Sequence, residues 1–191
     1  MATMTAGFPR RYRITADEYF RMGETGVLPP EARVELIDGE LIEMAPIGPP
    51  HASTVERLAD LLRRVLGDRA MVRTQQPSVV GKYSVPQPDI TVVIPRHDYY
   101  ARAHPVPHEV LLAVEVADST LNFDRDVKTA MYARSGVPEI WVVDVGARRI
   151  VHSASPLNGV YTESLTLGVG DSIGIRALPN VRIDLQALFP S

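Results

Sequence analysis

The chain predicts an α/β (α+β) fold with one mixed central sheet flanked by helices, and three observations carry that reading. Residues 111–144 hold a strand–helix–strand unit: apolar Leu111–Ala117, a helical pattern from Asn122 to Ser135, then Glu139–Asp144. Asp38-Gly39 sits between two apolar runs, the strongest short hairpin signal, because a type I′ turn needs positive φ at both central positions. Val55, Leu58, Ala59, Leu62 and Leu66 recur at helical spacing with arginines between them. At 191 residues the chain is read as one domain, 1–191, with 1–14 a flexible N-terminal segment.

Taken in order, Thr15 caps a short helix over 15–22, with Glu18 completing a capping box. Residues 33–44 form the hairpin, and its turn pairs Ile37 with Glu40, Leu36 with Leu41 and Glu35 with Ile42. Period-2 alternation then puts Glu35, Ile37, Glu40 and Ile42 on one face. Pro46 to Pro50 reads as a stiff loop, and the amphipathic helix runs from His51 to Leu66, stopped by Gly67. A strand over 70–75 follows, then the strand Pro88–Ile94. The proline-rich segment 95–109 reads as an exposed loop. The helix over 122–135 is closed by Gly136, with Pro138 just outside it. Arg149–Ser153 and Val160–Leu165 continue as a meander, and a short helix near 184–188 ends the chain. The parallel crossover from 111 to 144 is expected to be right-handed.

The composition is that of an ordinary globular chain, 45% hydrophobic and 23% charged. No apolar run approaches the roughly 18 residues of a membrane span, and the start lacks the pattern of a secretory signal. A cytoplasmic protein is the default expectation. Without cysteine there is no disulfide, thiolate site or cysteine nucleophile. A net charge of −3 weighs against electrostatic coating of nucleic acid, but little against a nuclease whose phosphate contacts are local. The arginines at 57, 63, 64, 69 and 73 are diluted by Glu56, Asp60 and Asp68 and read as a solvated face.

Two apolar strands each carry an acid: Asp89 at the entrance of the first, Glu115 inside the second. A carboxylate in a buried strand must be paired, hydrogen-bonded or bound to a cation. Ala113 and Ala117 share the face of Glu115 and leave room around it. Asp124, Lys128 and Tyr132 follow at intervals of four, lining one helix stripe that can lie over those carboxylates. Magnesium prefers oxygen ligands and is held by one or two carboxylates, retained waters and substrate phosphate. Asp89 and Glu115 would bind it, and Lys128 would orient a water and offset charge on the phosphoryl group.

Five stretches, Glu35-Leu36-Ile37-Asp38-Gly39-Glu40, Gln87-Pro88-Asp89, Val114–Ser119, Asp124-x3-Lys128-x3-Tyr132 and Gly136–Asp144, together resemble the Uma2 family within the PD-(D/E)XK nuclease superfamily. The resemblance spans roughly residues 15–190. It implies a restriction-endonuclease-like fold, a divalent cation (Mg²⁺ or Mn²⁺), DNA as the substrate, and pairing as a homodimer. It carries Asp89 onto the first acid and Glu115 onto the second. The superfamily's lysine stands two residues after the second acid, where this chain has Ala117. Lys128 is the replacement, reaching the same space from the helix. Glu35 is the candidate for a further metal ligand, with Glu40 second.

His51, Gln87 and Tyr132 are left without an assigned role; a turn residue and a core aromatic are the plainer readings of the last two. His97, His104 and His108 lack ligand spacing for zinc, and no Gly-x-Ser-x-Gly elbow is present. Two other readings stand beside the nuclease: a non-catalytic nucleic-acid- or protein-binding module that keeps the fold, and a metal-dependent phosphoesterase acting on small substrates.

Overall fold

The computed structural model describes residues 11–118 and 120–190. Asp38 and Gly39 both take positive φ, 50° and 87°, and close the hairpin of β1 (Val34–Ile37) and β2 (Glu40–Glu43) in the register the turn demands. A side chain at Gly39 would also collide with Arg13, whose Cβ lies 2.6 Å from that position. The hairpin stands outside the central sheet as a two-stranded unit. It is pinned at its tip, where Gly39 N–H donates to the Tyr83 carbonyl and Asp38 N–H to the Ser84 hydroxyl. Helix α1 (Ala16–Glu24) begins on the Thr15–Glu18 capping box and packs Ala16 and Tyr19 against Leu36 and Val85.

The central sheet has six strands: β3 (Met71–Thr74), β4 (Ile90–Val93), β5 (Val110–Ala117), β6 (Glu139–Asp144), β7 (Arg149–Leu157) and β8 (Val160–Gly168), side by side in that order. Only β5 and β6 run parallel, as their helical crossover requires. One face is covered by α2 (Pro49–Leu66), whose Leu58, Leu62 and Leu66 pack on Val92, Leu112, Val114 and Trp141. Each such leucine contributes roughly 1.5–3 kcal/mol by leaving water. The hairpin β9 (Ser172–Ile175) and β10 (Leu178–Asp184) and the terminal helix α5 (Leu185–Leu188) complete this layer. The opposite face carries the segment 121–135, whose Met131 and Tyr132 lie on Ala113, Ala117 and Ile140. Among the described residues no helix is long and apolar enough to cross a membrane.

Several expectations change. Helix α2 starts at Pro49 rather than His51, because Pro49 and Pro50 occupy the first turn, where a missing N–H costs nothing. The segment 121–135 is not a regular helix: α3 (Leu121–Phe123) and α4 (Thr129–Ser135) flank a π-turn over Asp124–Lys128, in which Thr129 N–H reaches the Asp124 carbonyl. The loop 95–109 is not simply exposed. Tyr100 is buried, donates its hydroxyl to the Ile94 carbonyl at 2.7 Å and lies under the Arg96 guanidinium. The hairpin β9–β10 was not legible, and β7 and β8 run longer than the apolar pattern suggests. Of the segment 1–14, residues 1–10 lie outside the described residues; Arg13 and Ile14 donate hydrogen bonds to the hairpin turn.

Candidate active site

Glu115 projects from the β5 face it shares with Ala113 and Ala117. The small neighbours let α4 approach, so the space beside Glu115 is filled by Tyr132, whose hydroxyl donates to Glu115 Oε1 at 2.8 Å. Asp89 precedes β4 by one residue, and continuing the β4–β5 register would set it opposite Glu115. Past the end of β4 the N–H of Val116 donates to Asp89 Oδ2 at 2.8 Å. From the first turn of α2, His51 brings Nε2 to 3.1 Å from that same oxygen. That hydrogen bond raises the imidazole pKa, against the opposing effect of burial.

Lys128 comes to these acids from the π-turn. Its Nζ lies 2.8 Å from Glu35 Oε2, 3.1 Å from Glu115 Oε2 and 3.8 Å from Asp124 Oδ1. Burial alone would lower its pKa, but the carboxylates of Glu115, Glu35 and Asp124 raise it above the ordinary lysine value, so the group stays an ammonium. Asp124 in turn accepts the Thr120 hydroxyl, and burial raises its pKa. Glu35 accepts the backbone N–H of Gln87 at 2.6 Å on Oε1. The hairpin thus delivers a buried acid, while its other candidate is elsewhere: Glu40 is exposed and paired with Arg11 at 3.3 Å. Shared strand alternation does not place the two glutamates alike, because the site is closed over β1 and open to solvent at the turn.

Glu35, Asp89, Glu115 and Asp124 are all buried or nearly so, with Lys128 the buried ammonium among them. They line one cavity of about 90 Å³ with His51, Gln87, Thr120 and Arg33, enough for several water-sized groups. A surplus of buried carboxylates over cations is unfavourable unless protons or a cation relieve it. Accordingly Glu115 has its pKa raised well above the carboxylate range, first by burial and then by Asp124, Glu35 and Asp89, with Lys128 opposing. The folded protein therefore binds the Glu115 proton more tightly than the unfolded chain. The stability this gives is full below the ordinary glutamate pKa and is lost as pH rises through the raised one. Glu115→Gln, which removes the titrating group but leaves Lys128 paired with Glu35, is expected to flatten the fall in stability of the cation-free protein as pH rises. Urea unfolding at a series of pH values checks this: the gap between variant and parent widens with pH and closes in acid.

Hard oxygen donors with excess negative charge fit a divalent cation of the magnesium type. Among the described residues no three histidine, aspartate or glutamate side chains converge as a ready ligand set. Asp89 and Glu115 would hold such a cation, waters or substrate oxygens supplying the remainder. Sequence reasoning left His51 unassigned, since nothing in the chain links a helix start to an acid 38 residues on. It also gave no role to Thr120 or Asp124, although Asp124 was legible as a neighbour of Lys128 four residues away. Of the arginines in 51–73, none lines the cavity; Arg64 pairs with Asp60, and Arg73 is buried beside Tyr100.

Comparison with known proteins adds two findings. Residues 16–186 match the model of the Uma2 family, described as "Putative restriction endonuclease". The fold is similar to the crystal structure of a "putative nuclease belonging to DUF820" from Anabaena variabilis ATCC 29413, with a TM-score of 0.74 and 16% identity, covering 92% of this chain and 97% of that one. A search of curated proteins finds no match.

Proposed function

The chain belongs to the Uma2 family, and from that premise we propose that it is a Mg²⁺- or Mn²⁺-dependent endonuclease, a single domain that hydrolyses DNA phosphodiester bonds. The observation that carries this reading is the position of Lys128, 3.1 Å from Glu115 in the cavity that Asp89 also lines. When bound, the cation would supply Lewis-acid activation of a water and of the phosphoryl oxygens. Asp89 and Glu115 would hold it. Lys128, kept cationic by its carboxylate neighbours, cannot take a proton from water; it orients the water and offsets negative charge developing on the phosphoryl oxygens. Tyr132 fixes Glu115, and His51 with the Val116 N–H fixes Asp89. Phe123, Met44 and the exposed Ile47 supply the apolar part of the cavity lining.

Incubation of the protein with plasmid and single-stranded DNA, with Mg²⁺, Mn²⁺ or EDTA, tests the reading. Cation-dependent cleavage that Asp89→Ala removes supports it; cleavage unaffected by that change overturns the site. His51→Gln is expected to lower cation affinity about 10–100-fold, the usual effect of removing a group that orients a ligand. Calorimetric titration with Mn²⁺ measures it.

A further inference from the structure

Glu35 is the acid most fully committed to Lys128. Both of its oxygens are on Lys128, Oε2 at 2.8 Å and Oε1 at 3.1 Å, and Oε1 also takes the Gln87 N–H. Asp89, by contrast, has one oxygen, Oδ2, shared by His51 and Val116, and its Oδ1 takes no hydrogen bond among the described residues. For Glu35 to turn to a cation, the ammonium would lose its nearest partner and the Gln87 N–H its acceptor. A buried donor left unpaired is costly.

Lys128 needs such a partner because of where it comes from. Two residues beyond Glu115 stands Ala117, 1% exposed and packed with Met131 and Tyr132, so a strand lysine has no room there. An ammonium arriving from a helix has a long flexible stem and three N–H donors to fix. Glu115 accepts one bond at 3.1 Å, Glu35 takes the opposite side, and Asp124 lies 3.8 Å away on the same π-turn, itself tied to Thr120.

We propose that Glu35 and Asp124 are positioning residues for Lys128: a carboxylate cradle that holds a helix-borne lysine where the superfamily has a strand-borne one. This rests on the nuclease reading for its purpose but not for its test. The hairpin β1–β2, which forms no part of the central sheet, thereby gains a function: it carries the larger half of the cradle to the site.

The experiment combines Glu35→Gln, Lys128→Met and the double variant, with Asp89→Asn for comparison. Mn²⁺ alone is titrated into each protein by calorimetry, thermal unfolding is followed without added cation, and cleavage kinetics are recorded. Glu35→Gln is expected to bind Mn²⁺ within about twofold of the parent while Asp89→Asn loses at least tenfold. It should lower kcat about 100-fold with KM little changed, and change nothing further in the Lys128→Met background. Unfolding midpoints should be non-additive, the double variant unfolding above Lys128→Met because the unpartnered Glu35 charge is gone. A tenfold loss of Mn²⁺ affinity from Glu35→Gln in both backgrounds makes Glu35 a ligand and overturns the proposal, as do additive midpoints. If no preparation cleaves DNA or takes up Mn²⁺, the nuclease reading fails while the unfolding cycle still decides the cradle.

Discussion

Asp89→Asn is expected to reduce cation-dependent cleavage by at least about three orders of magnitude, the loss of roughly 4 kcal/mol of transition-state stabilisation. The side chain keeps its shape, so the Val116 N–H retains an acceptor in the amide oxygen and the fold survives. What is lost is the charge that draws a divalent ion to the mouth of the sheet. Single-turnover rates over a range of Mg²⁺ separate the two contributions. A defect in cation affinity is recovered at high Mg²⁺, whereas a defect in the step itself is not. A variant cleaving at the parental rate at low Mg²⁺ would remove Asp89 from the site.

Lys128→Met should be among the most destabilising changes at the site. It leaves Glu35, Glu115 and Asp124 buried around an apolar side chain, with no ammonium between them. Breaking a buried pair from one side costs about 3–5 kcal/mol, because the remaining charge has neither water nor partner. Here the residual groups can take up protons or a cation instead. Mg²⁺ is therefore expected to raise the unfolding midpoint of Lys128→Met more than that of the parent, by mass action on the folded state. Cleavage stays low even so, since the ion replaces the missing charge without restoring the water-orienting donor. Differential scanning calorimetry with and without Mg²⁺ measures the difference; equal shifts in the two proteins would sink the idea.

Much of the sheet was legible, because its signals are local. Asp38-Gly39 sets the hairpin register by backbone sterics alone, and the apolar runs read at 88–94 and 111–117 contain β4 and most of β5. The family match covers 16–186 and agrees with the resemblance drawn from short motifs. Other features were beyond reach for physical reasons. The pairing of His51 with Asp89 joins elements distant in sequence, and no periodicity encodes such a contact. The hairpin β9–β10 is short and mixed in polarity, buried on alternate residues by α2 rather than by a sheet neighbour. Glu35 was visible as an acid among aliphatics, but strand alternation alone gave it the same face as Glu40, and only the covering of β1 separates them.

The π-turn over Asp124–Lys128 turns this site into a matter of counting. It contains one residue more than a regular helical turn, and everything before it is rotated by that surplus relative to everything after. Arg125 and Asp126 lie exposed on its outer side, so substitutions there should pass almost unnoticed. Loss of a single codon in the same stretch is another matter. It would rewind the segment by about 100° and swing either Asp124 or Lys128 away from the acids, although no residue of the site had changed. The tether is tolerant of spelling and intolerant of length.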